Sequence, residues 1–593
     1  MNVRKWYFFN YFAWIAKTLA IRILINLQDK LGLYSYSKWI RENEVDEEVA
    51  QESVETEKFF FQPLIIHIIV WDGGSIHLLE DTLRSLINQI YNRWGTWVLD
   101  VSSNVPNESL KSSFKDRRIN YFHWRSTLNT IDPIISVIQQ VSGDYVQVLT
   151  AGDRLSDNSN YEIARTLNNS VSSFDIIYTD EDYIPGNGEN RLHPFFKPDW
   201  SPELFLSTNY LLNAVFRSGL LAETLEREFP SDFEDLVLSS IKHSHNIYHI
   251  AKVLYHYRKE KGGREILGKY ANKSAFVNKS KHLGYIGIKG GSVNISRFGA
   301  IRVSWPIEEK SVCIVIPTKD HVDLLHKCVN SILGVTSYRN YEIILVDNSS
   351  EDLDTLQYYA KLRTLPQIRI INYTEQFNFS RALNLGAQAS NAKIYVFLNN
   401  DTEVIEPDWL RELVMWADQS EIGIVGAKLL FPDGRIQHAG IVIGLEGHAH
   451  HIFSGMQEGY TGVFGSVEWY RNYSAVTGAC MAIRSNVYEK VGGFDEHFRL
   501  AFGDVDMCLR VTNAGYRVVY TPFARIIHHE GATRGNYIPI EDIKLGYERF
   551  KSIVKRGDPY YNPNLSYAIR VPTLKRRFEE TPIKRLERIV DKY

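Results

Sequence analysis

Two kinds of apolar pattern alternate along this chain. Short blocks dense in Val, Ile and Leu, such as LIIHIIV at 64–70 and WVLDVSS at 97–103, predict strands buried on both faces, because such strands have no solvent side to fill with polar residues. Between the blocks, apolar positions recur at helical spacing. From about Phe60 onward the pattern is that of βα units forming an α/β domain.

The pattern then runs a second time. The strand ending at Val70 and its loop WDGG match CIVI at 313–316 and its loop PTKD, 246 residues on. LRSLINQIYNRWGTWVLDVSS matches VNSILGVTSYRNYEIILVDNSS, which pairs Asp100 with Asp347 at a separation of 247, and DYVQVLTAGD at 144–153 matches KIYVFLNNDT at 393–402. Three matches in one order at nearly constant separation predict two homologous α/β domains.

Charge sets the boundaries. Residues 42–57 hold eight acidic side chains and no basic one, a composition that solvates rather than packs. Before them, residues up to Arg41 carry seven basic side chains against the single Asp29. The chain is thus expected to comprise a basic amphipathic N-terminal segment and acidic linker (1–57), a first domain (58–265), a linker (266–307), a second domain (308–540) and a C-terminal extension (541–593). The extension has thirteen basic and eight acidic residues, which reads as a solvated helical face.

Composition narrows the function classes. With 593 residues the chain exceeds one core, and 44% hydrophobic with 23% charged residues is ordinary for a folded protein. A net charge of -3, with no basic stripe interleaved with aromatics, excludes nucleic acid as the expected partner. The four cysteines, Cys313, Cys328, Cys480 and Cys508, have no zinc spacing and read as reduced core residues. The apolar stretch from Trp6 to Leu27 is interrupted by Lys17 and Arg22 and is followed by no cleavage-site pattern. The expected location is cytoplasmic, with the N-terminal segment equally suited to peripheral contact at the inner face of the cell membrane and to packing on the body.

The second copy carries the chemistry. Its landmarks fall at the carboxyl ends of strands, where open α/β sheets bind ligands. Pro317 ends one strand, and Asp347 in EIILVDNSS ends the next, where a carboxylate can accept from a base N–H or a ribose hydroxyl. Asn399 and Asp401 in IYVFLNNDTEV stand two apart on one side of the chain, oxygen ligands suited to Mg2+ or Mn2+ on a diphosphate. GGFDEHFRLAFGDVDMCLR supplies Asp504 and Asp506, carboxylates able to act as general base, and ARIIHHEGATRG supplies His528 and His529. His438, His448, His450 and His451 match no zinc signature and stay unassigned. Gly492 and Gly493 read as turn residues.

These strings together, VDNSS, LNNDTEV, HAGIVIG, AVTGACMAIR, VGGFDEHF, DVDMCLR and HHEGATRG, resemble bacterial glycosyltransferase family 2, in its O-antigen and rhamnosyl-type subgroup. The resemblance implies a GT-A (nucleotide-diphospho-sugar transferase) fold and an inverting, metal-dependent enzyme. It implies Pro317, Thr318, Asp347 and Asn384 for the donor nucleotide, Asp401 and Asn399 with His528 for Mn2+ or Mg2+, and Asp504 as the catalytic base. Asp495 and Asp506 fall on the acceptor side. It also implies a nucleotide-diphospho-sugar donor and a glycan or lipid-linked saccharide acceptor. The sequence departs from many relatives at Asn399, where they have Asp, and at Gly503, where they have Glu or Asn.

The first copy resembles the same family in FDIIYTDEDYI, HPFFKPDWSPELFLSTNYLL and IAKVLYHYR. Thr150 and Gly152 are expected where its metal carboxylates would be, and Phe233 about where its base would be. A degenerate first domain beside one working site is therefore the leading expectation. A bifunctional two-site transferase or polymerase, and a non-catalytic glycan-assembly protein, are the alternatives.

Overall fold

The computed structural model describes residues 20, 23–25, 27–28, 34–44, 59–102, 116–124, 131–186, 188–259, 279–284, 286–529 and 537–591. Most of the basic N-terminal segment, the acidic run from 45 to 57, much of the stretch between the two copies and the end of HHEGATRG lie outside these residues. The chain divides into two units, one comprising Tyr34–Trp200 and Thr208–Asn294, the other built mainly from Ile295–Tyr593 with Ser201–Ser207. Among the described residues no helix is long and apolar enough to cross a membrane.

The first unit is organised on a nine-stranded mixed sheet. Its strands are β1 (Ile65–Trp71), β2 (Trp94–Asp100), β3 (Ile119–His123), β4 (Tyr145–Thr150), β5 (Arg154–Leu155), β6 (Ile176–Pro185), β7 (Leu192–Phe195), β8 (Val215–Arg217) and β9 (Ile247–Lys259). They run in the order β3-β2-β1-β4-β8-β6-β9-β5, with β7 on β6. The second unit has a ten-stranded sheet: β10 (Val312–Thr318), β11 (Tyr341–Asp347), β12 (Ile368–Asn372), β13 (Ile394–Leu398), β14 (Thr402–Val404), β15 (Ile422–Leu430), β16 (Ile436–His438), β19 (Arg471–Asn472), β20 (Cys480–Arg484) and β21 (Arg517–His528). A separate hairpin pairs β17 (Ile441–Ile443) with β18 (Ala449–His451).

The second sheet repeats the first strand for strand, in the order β12-β11-β10-β13-β20-β15-β21-β14. The senses also agree. In both, the first four strands pair parallel, the next pairings are antiparallel, the long last strand pairs parallel with β6 or β15, and a short strand closes the edge antiparallel. The chain is thus a tandem pair of α/β units of one topology.

Strand pairing also fixes the correspondence between copies. Trp71 lies opposite Asp100 as Thr318 lies opposite Asp347, so β1 and β10 correspond at a separation of 247, one residue from the match read at the ends of the strands. Arg154 lies opposite His256 as Thr402 lies opposite His528. Asp153, immediately before β5, is therefore the counterpart of Asp401, immediately before β14. The expectation that Gly152 takes that place is corrected, because the first copy has one residue more between the start of β4 and the start of β5.

In the second unit β10 and β13 are buried throughout, as their apolar blocks require. Helix α1 (Phe379–Gln388), capped by the Asn378 side chain on the Arg381 amide, packs across β10 and β11. Helix α2 (Gly503–Asn513) carries Asp504 in its first turn. The extension forms helices α3 (Ile540–Arg556) and α4 (Pro582–Val590). It is not the solvated face that its charges suggested, since Asp542, Phe550, Leu565, Ala568 and Leu586 are fully buried.

Gly386 lets α1 approach the strands that end at Thr318 and Asp347. A Cβ there would stand 2.2 Å from Val315 Cγ1 and 3.1 Å from Val346 Cγ2. Gly386→Ala is therefore expected to destabilise the unit by about 1–3 kcal/mol, despite the better helix propensity of alanine. Denaturant unfolding checks this, and a stabilised variant would mean the packing is looser than described.

Candidate functional site

Four strand ends and one helix start converge on a cavity of about 870 Å³ in the second unit. Pro317, Thr318, Lys319, Asp320 and His321 line it from the end of β10, Asn348 and Ser349 from the end of β11, and Asn399, Asn400 and Asp401 from the end of β13. The α2 start contributes Phe502, Gly503, Asp504 and Val505, the end of β21 contributes His528, and the stretch between β15 and β20 contributes Gln437, Ile441, His450, His451 and Gly478.

At the centre, His528 Nε2 lies 3.1 Å from Asp401 Oδ1 and 3.4 Å from Asn399 Nδ2. Burial works to push the Asp401 carboxyl up, but its hydrogen bond to His528 and the nearby imidazoles outweigh this and hold it below the usual carboxylate range. Asn399 Oδ1 and His528 Nδ1 are buried without a hydrogen-bond partner among the described residues. A buried amide oxygen with no donor, beside a carboxylate and an imidazole, fits a hard divalent cation with further oxygen ligands from elsewhere. His529, just past the end of β21, has its Nε2 3.6 Å from Glu403.

Asp504 also lines the cavity, half-buried. Its Oδ2 accepts from the Gly478 amide at 2.9 Å and its Oδ1 from the Val505 amide at 2.9 Å, so the carboxylate is fixed in direction while part of it faces the cavity. The glycine at 503 has a steric reason. A Cβ there would come within 2.7 Å of Ser380 Oγ, the hydroxyl that binds the Phe498 carbonyl.

The other sequence candidates are placed outside the cavity lining. Asp347 is buried and accepts from the Ser350 amide and hydroxyl and from the Tyr359 hydroxyl at 2.9 Å. It shapes the turn that presents Asn348 and Ser349. Asn384 is turned into the Phe494–Glu496 loop, where it donates to the Phe494 carbonyl and to Glu496 and accepts from the Phe494 amide. Asp495 pairs with Arg549 and His497, and Asp506 pairs with Arg510.

Sequence reading left His450 and His451 unassigned, and it passed over Asp320 and His321. The last two are non-glycine residues in the left-handed region, at φ 48° and 51°, with Asp320 Oδ1 accepting from the Glu351 and Asp352 amides. Such backbone outliers cluster at ligand sites. His450 and His451 sit in a stretch of 49 residues between β15 and β20, against 29 between β6 and β8. A longer crossing at the strand ends is the signal that singles them out.

The corresponding place in the first unit is filled by the protein itself. Asp153 accepts from the Tyr255 hydroxyl, the Arg258 amide at 3.0 Å and the Thr150 amide at 3.2 Å. The Arg258 guanidinium binds Asp81 at 3.1 Å and lies over the Gly152 carbonyl. Asp100 accepts from Tyr121 and the Ser102 amide, with His123 Nδ1 at 3.1 Å. His256, the counterpart of His528, is held by Asp182 and Ser156.

Sheet order, the carboxyl-end cavity and the Asn-Asp pair with its histidine define a nucleotide-diphospho-sugar transferase-type (GT-A-like) fold, present twice, with the first copy degenerate. Comparison with known proteins agrees. Residues 313–492 match the glycosyl transferase family 2 model. It is 35% identical over 537 residues to the O-antigen biosynthesis protein RfbC of Myxococcus xanthus, covering 88% of this chain and 42% of that protein. Over 535 residues it is 35% identical to the uncharacterized protein y4gI of Sinorhizobium fredii, covering 85% of this chain and 58% of that one. The N-acetylglucosaminyl-diphospho-decaprenol L-rhamnosyltransferase of Mycobacterium tuberculosis is 26% identical over 229 residues, covering 34% of this chain and 71% of that one. The chain spans about half the length of the first two relatives.

Burial pushes His448, behind the His450 wall, down to about 4, so its ring is neutral near pH 7. An unfolded histidine titrates near 6.5, so between about pH 6.5 and 4 the unfolded chain binds one more proton here and stability falls as the pH drops. His448→Gln is expected to flatten this slope by about one proton, about 1.4 kcal/mol per pH unit. Urea midpoints across that range test it, and an unchanged slope rules out a neutral buried ring.

Proposed function

We propose that the second unit is the catalytic domain of an inverting glycosyltransferase that moves a sugar from a nucleotide-diphospho-sugar to a hydroxyl of a cell-surface glycan or lipid-linked saccharide. The observation that carries this reading is that one cavity is lined both by a cation-fitting group, Asp401, Asn399 and His528, and by the anchored Asp504 carboxylate. The names of the O-antigen and rhamnosyltransferase relatives support a cell-envelope acceptor and make dTDP-rhamnose the first donor to test.

In this mechanism the strand-end segments at Thr318 and Asn348–Ser349 hold the nucleotide, with Asp347 shaping the second of them. Asp401, Asn399 and His528 would hold Mn2+ or Mg2+, which when bound would supply charge stabilisation for the departing diphosphate oxygens. Asp504 takes the proton from the acceptor hydroxyl. The acceptor oxygen bonds to the anomeric carbon as the carbon–oxygen bond to the diphosphate breaks, and in-line attack inverts that carbon. Gly478 and Val505 amides fix the direction of the base, while His450, His451 and Gln437 face the acceptor half of the cavity.

Asp401→Ala is expected to abolish sugar transfer while the fold is retained, and Asp504→Asn to lower turnover roughly 10²-fold or more with donor binding preserved. A screen of nucleotide sugars with and without Mn2+, read by mass spectrometry for product and free nucleoside diphosphate, measures both. Full activity of Asp401→Ala with bound metal defeats the assignment, and damage from Asp506→Asn in place of Asp504→Asn moves the base. A protein that consumes no nucleotide sugar is the non-catalytic alternative.

The two-site alternative has its own test. Asp153 in the first unit is satisfied by protein donors, so its substitution is expected to leave the chemical step nearly unchanged. If the double variant Asp401→Ala/Asp504→Asn still transfers sugar, and Asp153→Ala then removes that activity, the chain has two working sites.

A further inference from the structure

Residues 540–591 lie beyond the part that matches the family 2 model, yet they hold two of the segments that line the cavity. Asp542, in the first turn of α3, is fully buried and accepts three backbone hydrogen bonds from the opposite loop. Its Oδ1 takes the Arg499 amide at 2.9 Å, and its Oδ2 takes the Leu500 and Ala501 amides, each at 2.8 Å. Leu500 and Ala501 line the cavity, and the chain from them runs through Phe502 directly into Asp504.

The same face of α3 continues the grip. One turn on, at the close approach of Gly546, an added Cβ would stand 2.9 Å from His448 Cε1. His448 stacks on Phe502 with centroids 4.2 Å apart and planes at 8°. Phe550 closes on both rings, and Arg549 reaches Asp495 at 3.0 Å. Positions 542, 546, 549 and 550 share one helical face. This support is needed because Phe502 holds a left-handed φ of 64°, a conformation a bulky residue keeps only when its surroundings enforce it.

The hairpin segment that carries His450 and His451 is held likewise. Asp558 is buried and accepts from the Ile443 amide and the Ser474 hydroxyl, both at 2.8 Å, and the Tyr567 carbonyl takes the Glu446 amide at 2.8 Å. These contacts flank the turn that leads to His450 and His451.

We propose that Asp542 is a positioning residue for the catalytic base: by holding the 499–501 amides it sets the strained Phe502 turn and so the placement of Asp504, which makes the C-terminal extension part of the acceptor side of the site. This inference rests on the reading of Asp504 given above. Asparagine at 542 would retain one accepting oxygen and set an NH2 against at least one amide, so the loop would loosen while the helix stays in place.

The test uses the full chain with Asp542→Asn, and Gly546→Ala as a second variant that displaces the His448–Phe502 stack. Hydrogen exchange, which needs no substrate, is expected to rise at least about tenfold for the 499–501 amides in Asp542→Asn while β10 and β13 stay protected. Turnover of dTDP-rhamnose, or of the donor the screen identifies, is expected to fall roughly tenfold or more with donor KM within about twofold, in both variants. If Asp542→Asn does not fold, Gly546→Ala alone carries the turnover result. Unchanged exchange, or faster exchange with unchanged turnover, overturns the inference. If Asp504→Asn also leaves turnover unchanged, the reading of the base itself has failed. If Asp504→Asn slows the enzyme and neither supporting variant does, only the positioning role is lost.

Discussion

A carboxylate buried at the end of a strand must be given donors or a cation, because an uncompensated charge there is costly. How each unit meets that demand separates the two copies. In the first, Asp153 is saturated by Tyr255, Arg258 and Thr150. In the second, Asp401 has one imidazole beside it and a neighbouring amide oxygen with no hydrogen-bond partner among the described residues. The strand order is shared, and at the aspartate itself the difference between a filled place and a receptive one lies in the groups around it.

The rest of the second unit serves the receptive place. Parallel pairing of β10 with β11 and β13 brings their carboxyl ends to one edge. The crossing between β15 and β20 folds a hairpin over that edge, and the extension braces both it and the start of α2. Buried carboxylates recur as the fasteners: Asp347 ties its own turn, Asp542 ties a loop, and Asp558 ties the hairpin. Each is held by two or more protein donors, which suits it to fastening the segment it sits in.

The tandem architecture was legible in the sequence because apolar blocks and strand-end motifs recur in order, and strand burial follows from the blocks directly. Asn399, Asp401, Asp504 and His528 could be picked out because each sits at a strand end or helix start that the pattern locates. What was hidden depends on contacts between distant segments. The donors that consume Asp347 and Asn384 come from Tyr359, Phe494 and Glu496, and nothing in VDNSS announces them. The one-residue slip at Asp153 was hidden for a related reason: sequence similarity follows β4 into its loop, whereas the short edge strand after the loop answers only to its partner. The extension was misjudged because its charge count says nothing about which face carries Asp542, Gly546 and Phe550.

That short edge strand has a bearing on how copies of this fold should be compared. The loop before it can gain or lose a residue without altering the sheet, so the aspartate there drifts in any alignment made from sequence. The histidine across the ladder cannot drift, since it is tied to the residue after the aspartate by antiparallel pairing, His256 to Arg154 in one copy and His528 to Thr402 in the other. A comparison that anchors first on that histidine, and counts back from its partner, gives the same origin to both halves of the chain.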